Sequence, residues 1–175
     1  DALGDALAAA LTFHAFHAHA ARLGMADIAQ ALTARQAMIR TDGAAMMLTP
    51  TYYAFRMHVP FQAATTLPLS LANNPQYSVG GLGVPAVSAS AARAIDGKLY
   101  LSLVNADARE AATVAIGVNG ASLKAASGSV LAAAGADARN KAATLAPAPL
   151  TAHAENGKLR LTLPPKSLTV LAIDE

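Results

Sequence analysis

The side chains able to do chemistry are few in this chain and unevenly placed. Its three glutamates, Glu110, Glu155 and Glu175, stand in the later part, while the first 62 residues hold only Asp1, Asp5, Asp27 and Asp42. Hydrolysis by a carboxylate pair needs two acids converging on one bond, about 5–5.5 Å apart when the outcome is retention. No spacing here places two acids together. Serines, histidines and aspartates are present, but no G-x-S-x-G elbow lifts a serine into attack. Taken alone, the chain's own residues read as non-catalytic, with no catalytic residue to name.

The histidines raise metal binding as a second possibility. His14, His17 and His19 cluster, with His58 and His153 distant in sequence. On a helix His14 and His17 share a face, whereas His17 and His19 point about 200° apart. No Asp or Glu in the nearby turns completes a zinc set, so these histidines are expected to serve packing, with no metal and no cofactor. The absence of cysteine removes disulfides, thiolate metal sites and a thiol nucleophile.

These residues need elements to position them. From Asp1 to about Leu23 the period is helical, with Leu3, Leu7, Leu11 and His14 on one stripe and Gly24 to stop it. A short apolar run, Met25–Ala29, reads as a strand ending on the polar Gln30. In a barrel of parallel strands and helices, strand C-termini supply the site, which would aim Gln30 into one; the alternative is a solvated residue at a strand end. Gln36, Arg40 and Asp42 follow in a connection without clear period, where Asp42-Gly43 signals a turn. Thr49 as N-cap and Pro50 at the first position then open a helix carrying Tyr52, Tyr53, Phe55 and Arg56, which must stop near His58 because Pro60 cannot continue it.

From about Thr65 the punctuation changes to that of strands. Gly80-Gly81-Leu82-Gly83 precedes a strand pattern rather than a helix, which removes the phosphate-cradle reading. Asp96-Gly97, Asn119-Gly120 and Asn156-Gly157 are hairpin signals among alternating runs: Leu99, Leu101 and Leu103; Val114, Ile116 and Val118; Leu159, Leu161 and Leu163. Ala121–Leu150 reads as loops and short edge strands. The expected architecture is α/β plus all-β: the last helix–strand–helix of a (β/α)8 TIM barrel over 1–62, then an antiparallel β-sandwich over 63–175.

Composition narrows the function classes. Only 14% of residues are charged, against about 25% in an ordinary soluble domain, so some faces are expected to be covered by other polypeptide. The +2 net charge is scattered, which excludes the basic stripe of a nucleic-acid binder. No run of eighteen apolar residues predicts a membrane span. The start has neither Met nor a basic segment; it reads as a chain entered mid-helix, and cytoplasm is the favoured compartment.

Against that background, two strings carry a resemblance. FHAFHAHAARLGMADIAQALTARQAMIRTDG, followed by MMLTPTYYAFRMHVPFQAATTLPL, resembles the end of the catalytic barrel of family 51 α-L-arabinofuranosidases. VSASAARAIDGKLYLSLVNADAREAATVAI and LPPKSLTVLAI resemble that family's C-terminal β-sandwich. The resemblance implies a retaining, exo-acting hydrolase that removes terminal α-L-arabinofuranosyl groups from arabinan- and arabinoxylan-type saccharides, with two catalytic glutamates upstream of the matched region. It implies that this chain alone is inactive, that an upstream barrel segment is its partner, and that a homo-oligomer forms. A strand-end glutamine touches the sugar in that family; Gln30 is the candidate and Gln36 the second. Asp27 stands where the family usually has Asn. The competing readings are a non-catalytic β-sandwich that binds carbohydrate, and an interaction module that docks through its apolar helix; the lack of Trp weakens the former.

Overall fold

The structure, a computed structural model, describes residues 2–28, 31–32, 37–140 and 145–175. Among the described residues two α-helices, α1 (Leu3–Ala18) and α2 (Pro50–Met57), precede most of twelve strands. Between the helices lies a hairpin of β1 (Ile39–Asp42) and β2 (Ala45–Leu48), with Gly43 at φ +57° in its turn. The expected turn at Asp42-Gly43 thus closes a hairpin inside the connection. A second small hairpin, β4 (Gln76–Val79) and β5 (Leu82–Pro85), turns at Gly80-Gly81, both with positive φ.

The centre of the molecule is an antiparallel six-stranded sheet. Its strands are β3 (Thr65–Leu67), β6 (Val87–Arg93), β7 (Leu99–Asn105), β9 (Ala125–Ala132), β10 (Ala148–His153) and β12 (Ser167–Asp174), in the order β10-β9-β12-β7-β6-β3. Alternation sends the side chains of each strand to opposite faces. Leu99, Leu101 and Leu103 of β7, with Leu171 and Ile173 of β12, meet Leu159, Leu161 and Leu163 in one apolar core. Those last three lie on β11 (Leu159–Leu163), which pairs only with β8 (Ala112–Ile116) to form the second layer. The opposite face, carrying Ala92, Val104, Leu168 and Val170, packs beneath Leu3, Ala6, Leu7 and Ala10 of α1 and Ala54 and Met57 of α2. The β-sandwich expected from the alternating runs is present, and helices cover its outer face.

Several sequence expectations need correction. Among the described residues of the expected barrel strand, Met25–Ile28 carry no strand; a parallel strand exists only through neighbours, and the adjoining pairing is a single parallel bridge between Leu32 and Ile39. Ala121–Leu150 contains not edge fragments alone but β9, an interior strand with Leu131 fully buried. Its sequence, AASGSVLA, hid it because small residues show little alternation. At Gly128 a Cβ would lie 2.0 Å from the Val170 carbonyl oxygen, so the close approach of β12 demands glycine. Pro149 occupies β10, at the sheet edge where a missing N–H is tolerated. Of the three X-Gly turns, only Asp96-Gly97 joins neighbouring strands of one sheet. Asn119-Gly120 leads from β8 toward β9, and Asn156-Gly157 from β10 to β11; each therefore passes the chain between layers. A tight turn fixes the reversal, not the partner.

On α1, Leu11 is 37% exposed and the buried stripe is Leu3, Ala6, Leu7, Ala10 and His14. Leu11 lies about 80° around the helix from Leu3, at the stripe's edge. Alanines at the centre let the helix sit close to the sheet.

Candidate functional site

The candidate sugar-contacting residues, Gln30 and Gln36, lie outside the described residues. What the structure gives is the frame on either side of them. Ala26, Asp27 and Ile28 run along a groove between α1 and α2, lined also by Thr12, Phe13 and Phe55, with a volume of about 260 Å³. After Gln30, the Ala31 carbonyl accepts from the Ile39 N–H at 3.0 Å. After Gln36, Ala37 is fully buried, and its carbonyl accepts from the Thr49 hydroxyl at 2.8 Å.

Thr49 does more than cap α2. Its Oγ1 accepts from the Tyr52 N–H at 3.3 Å while its backbone N–H donates to the Met38 carbonyl at 3.0 Å. With Pro50 at the first position, this is the helix start expected from the sequence, and the helix ends at Met57 as Pro60 requires. The cap therefore ties the return of the connection to the start of α2. Arg40 and Asp42 are exposed on the hairpin.

The histidines form a different site, one that sequence spacing did not reveal. His14 contacts Ser88 Oγ through Nδ1 and Ser102 Oγ through Nε2, both at 2.8 Å. His58 reaches the same Ser102 Oγ through Nε2 at 2.9 Å and the Ala54 carbonyl through Nδ1 at 2.8 Å. His17 Nδ1 contacts Ser90 Oγ at 2.6 Å, and its ring stacks on Phe61. Burial pushes His14 down to about 3, with His58 and His17 adding to the shift. Burial also takes His58 to about 4; the Ala54 carbonyl opposes this and His17 reinforces it. Burial lowers His17 as well.

Proton counting fixes the tautomers. A carbonyl only accepts, so His58 carries its proton on Nδ1 and accepts at Nε2. Ser102 must then donate to His58 and accept from His14 Nε2–H, leaving His14 Nδ1 to accept from Ser88. The result is one directed chain from Ser88 through His14, Ser102 and His58 to Ala54, with every imidazole neutral. The three rings stand close, His14 and His58 with centroids 6.1 Å apart, but their nitrogens point at serines and a carbonyl. Among the described residues no group of three or more His, Asp or Glu is placed to hold a metal ion. His19 lies beyond the helix end beside Arg22.

The glutamates serve surface roles. Glu175 accepts from both terminal nitrogens of Arg93, at 3.0 and 3.2 Å, which lowers its carboxyl through that hydrogen bond and the guanidinium charge. Glu110 and Glu155 are exposed and contribute their backbones to local turns. Among the described helices none is long and apolar enough to cross a membrane.

A helical layer and a two-layer antiparallel sandwich built on one shared sheet define the class, a β-sandwich domain faced with helices, and solved structures share it. The chain belongs to the family described as the alpha-L-arabinofuranosidase C-terminal domain, whose model matches residues 1–167. It is 38% identical over 175 residues to an intracellular exo-alpha-L-arabinofuranosidase of Bacteroides ovatus, covering 98% of this chain and 34% of that protein. The crystal structure of the GH51 arabinofuranosidase from Xanthomonas axonopodis pv. citri superposes with TM-score 0.92 at 43% identity, over 99% of this chain and 36% of that one. The arabinose complex of the Thermotoga maritima alpha-L-arabinofuranosidase shares the fold, with TM-score 0.80 at 22% identity over 100% of this chain and 39% of that one. The chain thus spans about a third of the length of these relatives.

Proposed function

We propose that this chain is the C-terminal part of a retaining, exo-acting α-L-arabinofuranosidase that hydrolyses terminal α-L-arabinofuranosyl residues of arabinan- or arabinoxylan-type saccharides. The observation that carries the reading is the 38% identity, over nearly the whole chain, to a protein named for that activity. In this reading residues 1–62 are the last helix–strand–helix of a (β/α)8 barrel and 63–175 the sandwich domain. The groove between α1 and α2, and Met25 and Leu32, 78% and 60% exposed, supply apolar surface for the preceding barrel to cover. The two catalytic glutamates belong to that upstream segment, and the chain by itself is inactive. Assembly as a homo-oligomer and a cytoplasmic location complete the proposal; the relative's printed name, intracellular, supports the latter.

Within this enzyme Gln30 contacts the arabinosyl group, with Gln36 as the second candidate. Both stand next to anchored backbone, at the Ala31 carbonyl and at the buried Ala37. The test is Gln30→Ala and Gln36→Ala, separately, in the whole polypeptide with an aryl α-L-arabinofuranoside as substrate. The residue in the subsite loses about 10-fold or more in kcat/KM, as for a lost hydrogen bond at a reacting sugar. Unchanged kcat and KM for both variants would remove both glutamines from the site.

A further inference from the structure

The buried His–Ser chain lies where the helical layer meets the sheet, and nothing in the hydrolytic reading uses it. Three of its links join α1 to β6 (Ser88), α1 to β7 (Ser102), and the end of α2 to that same Ser102. Ser102 is fully buried. It is the one hydroxyl shared by both helices.

We propose that this chain is a proton-operated latch, clamping α1 and α2 to the sandwich while both imidazoles are neutral and releasing the helical layer on acidification. The proton order along Ser88–His14–Ser102–His58–Ala54 has one consistent direction, and each ring nitrogen has one role. A proton added at His58 Nε2 turns Ser102 into a double acceptor and strands its own hydroxyl hydrogen at a fully buried position. A proton added at His14 Nδ1 forces Ser88 to reverse.

Among the described residues the surroundings offer no compensating charge. The titratable groups acting on His14 are His58 and His17, and the one acting on His58 is His17. Facing them, α1 adds Phe13, the turn after α2 adds Phe61, and β12 contributes Leu168 and Val170 to the same core. From β6 and β7 come Ser88, Ser90, Ser102 and Tyr100, whose hydroxyl turns away to Asp96 at 3.3 Å. A cation formed here is buried without a counter-ion and beside further imidazoles, and opening the layer is the way to hydrate it. The lowered positions of His14 and His58 agree with this.

The latch is independent of the hydrolytic reading and is tested without activity. Hydrogen–deuterium exchange is measured on the whole polypeptide at pH 7.5 and 5.5, corrected for intrinsic rates. Opened imidazoles take up protons near 6.5, so each lowers the protection of the layer about 10-fold over that interval, about 100-fold for both. The loss is expected in α1 and α2, whose protection at pH 5.5 falls below that of β8 and β11, and a His14→Gln/His58→Gln double variant should show none of it. Unchanged protection in α1, protection of α1 and α2 at pH 5.5 as high as that of β8 and β11, or the same loss in the double variant overturns the latch. Should the double variant not fold, ¹⁵N spectra of the native imidazoles decide instead. At pH 5.5 the latch requires neutral rings, with the proton on Nε2 of His14 and on Nδ1 of His58; titration of either near 6.5 contradicts it.

Discussion

The two faces of the central sheet are built from alternate residues of the same strands, yet they hold their covers by different physics. Toward β8 and β11, β7 presents Leu99, Leu101 and Leu103, and the cover returns Leu159, Leu161 and Leu163. Toward the helices, the same strand presents Tyr100, Ser102 and Val104, and the cover returns alanines, leucines and two buried histidines. The first contact is non-directional and insensitive to protons, since burial of apolar area sets its strength. The second rests in part on hydrogen bonds that demand one protonation state. A layer that joins its sandwich through small residues and an ordered proton chain is fixed in orientation, at the cost of being sensitive to acid.

Breaking the apolar face should have the largest effect. Leu171→Ala, at a fully buried site, is expected to destabilise by about 2–5 kcal/mol, equally at pH 7.5 and 5.5 in urea titrations. Acidification acts on the other face. Because His14 and His58 sit below 6.5 when folded, the unfolded state binds more protons as pH falls. Their contribution is complete above 6.5 and is lost progressively toward 4 for His58 and toward 3 for His14. Between pH 7.5 and 5.5 the loss should reach about 3 kcal/mol for the two imidazoles together, at 1.36 kcal/mol per unit for each. A flat stability profile over that range would remove the difference between the faces.

Smaller changes sharpen the comparison. Ser102→Ala leaves two buried ring nitrogens without their shared partner and should cost about 1–3 kcal/mol at neutral pH, read as a lower urea midpoint. Thr49→Ala, which cuts the α2 cap and its tie to Ala37, should cost about 1 kcal/mol with no pH dependence. Thr169, on the apolar face, is fully buried with its Oγ1 unpartnered. Thr169→Val is therefore expected to raise stability by about 1 kcal/mol, seen as a higher thermal midpoint.

How much of this was legible follows the same division. The apolar face could be read directly, because leucines alternating with polar residues announce a strand and its buried side. The helical face was half visible. Ser88 and Ser90 alternate with Val87, Ala89 and Ala91 in the sequence, but only tertiary packing shows that these serines meet His14 and His17. β9 escaped notice because alanine, serine and glycine give no hydrophobic contrast. The strand expected at Met25 is absent among the described residues, since a parallel strand is defined by partners rather than by its own run of apolar residues. Gln30 is marked by its place at the end of an apolar run and by resemblance, and Gln36 as a sugar contact by resemblance alone.

The central functional claim is tested most directly by ¹H NMR of the whole polypeptide acting on an aryl α-L-arabinofuranoside. The account predicts release of arabinofuranose as the α-anomer first, before mutarotation, and no release by residues 1–175 alone. No hydrolysis by the whole polypeptide, first appearance of the β-anomer, or full activity from residues 1–175 would contradict it.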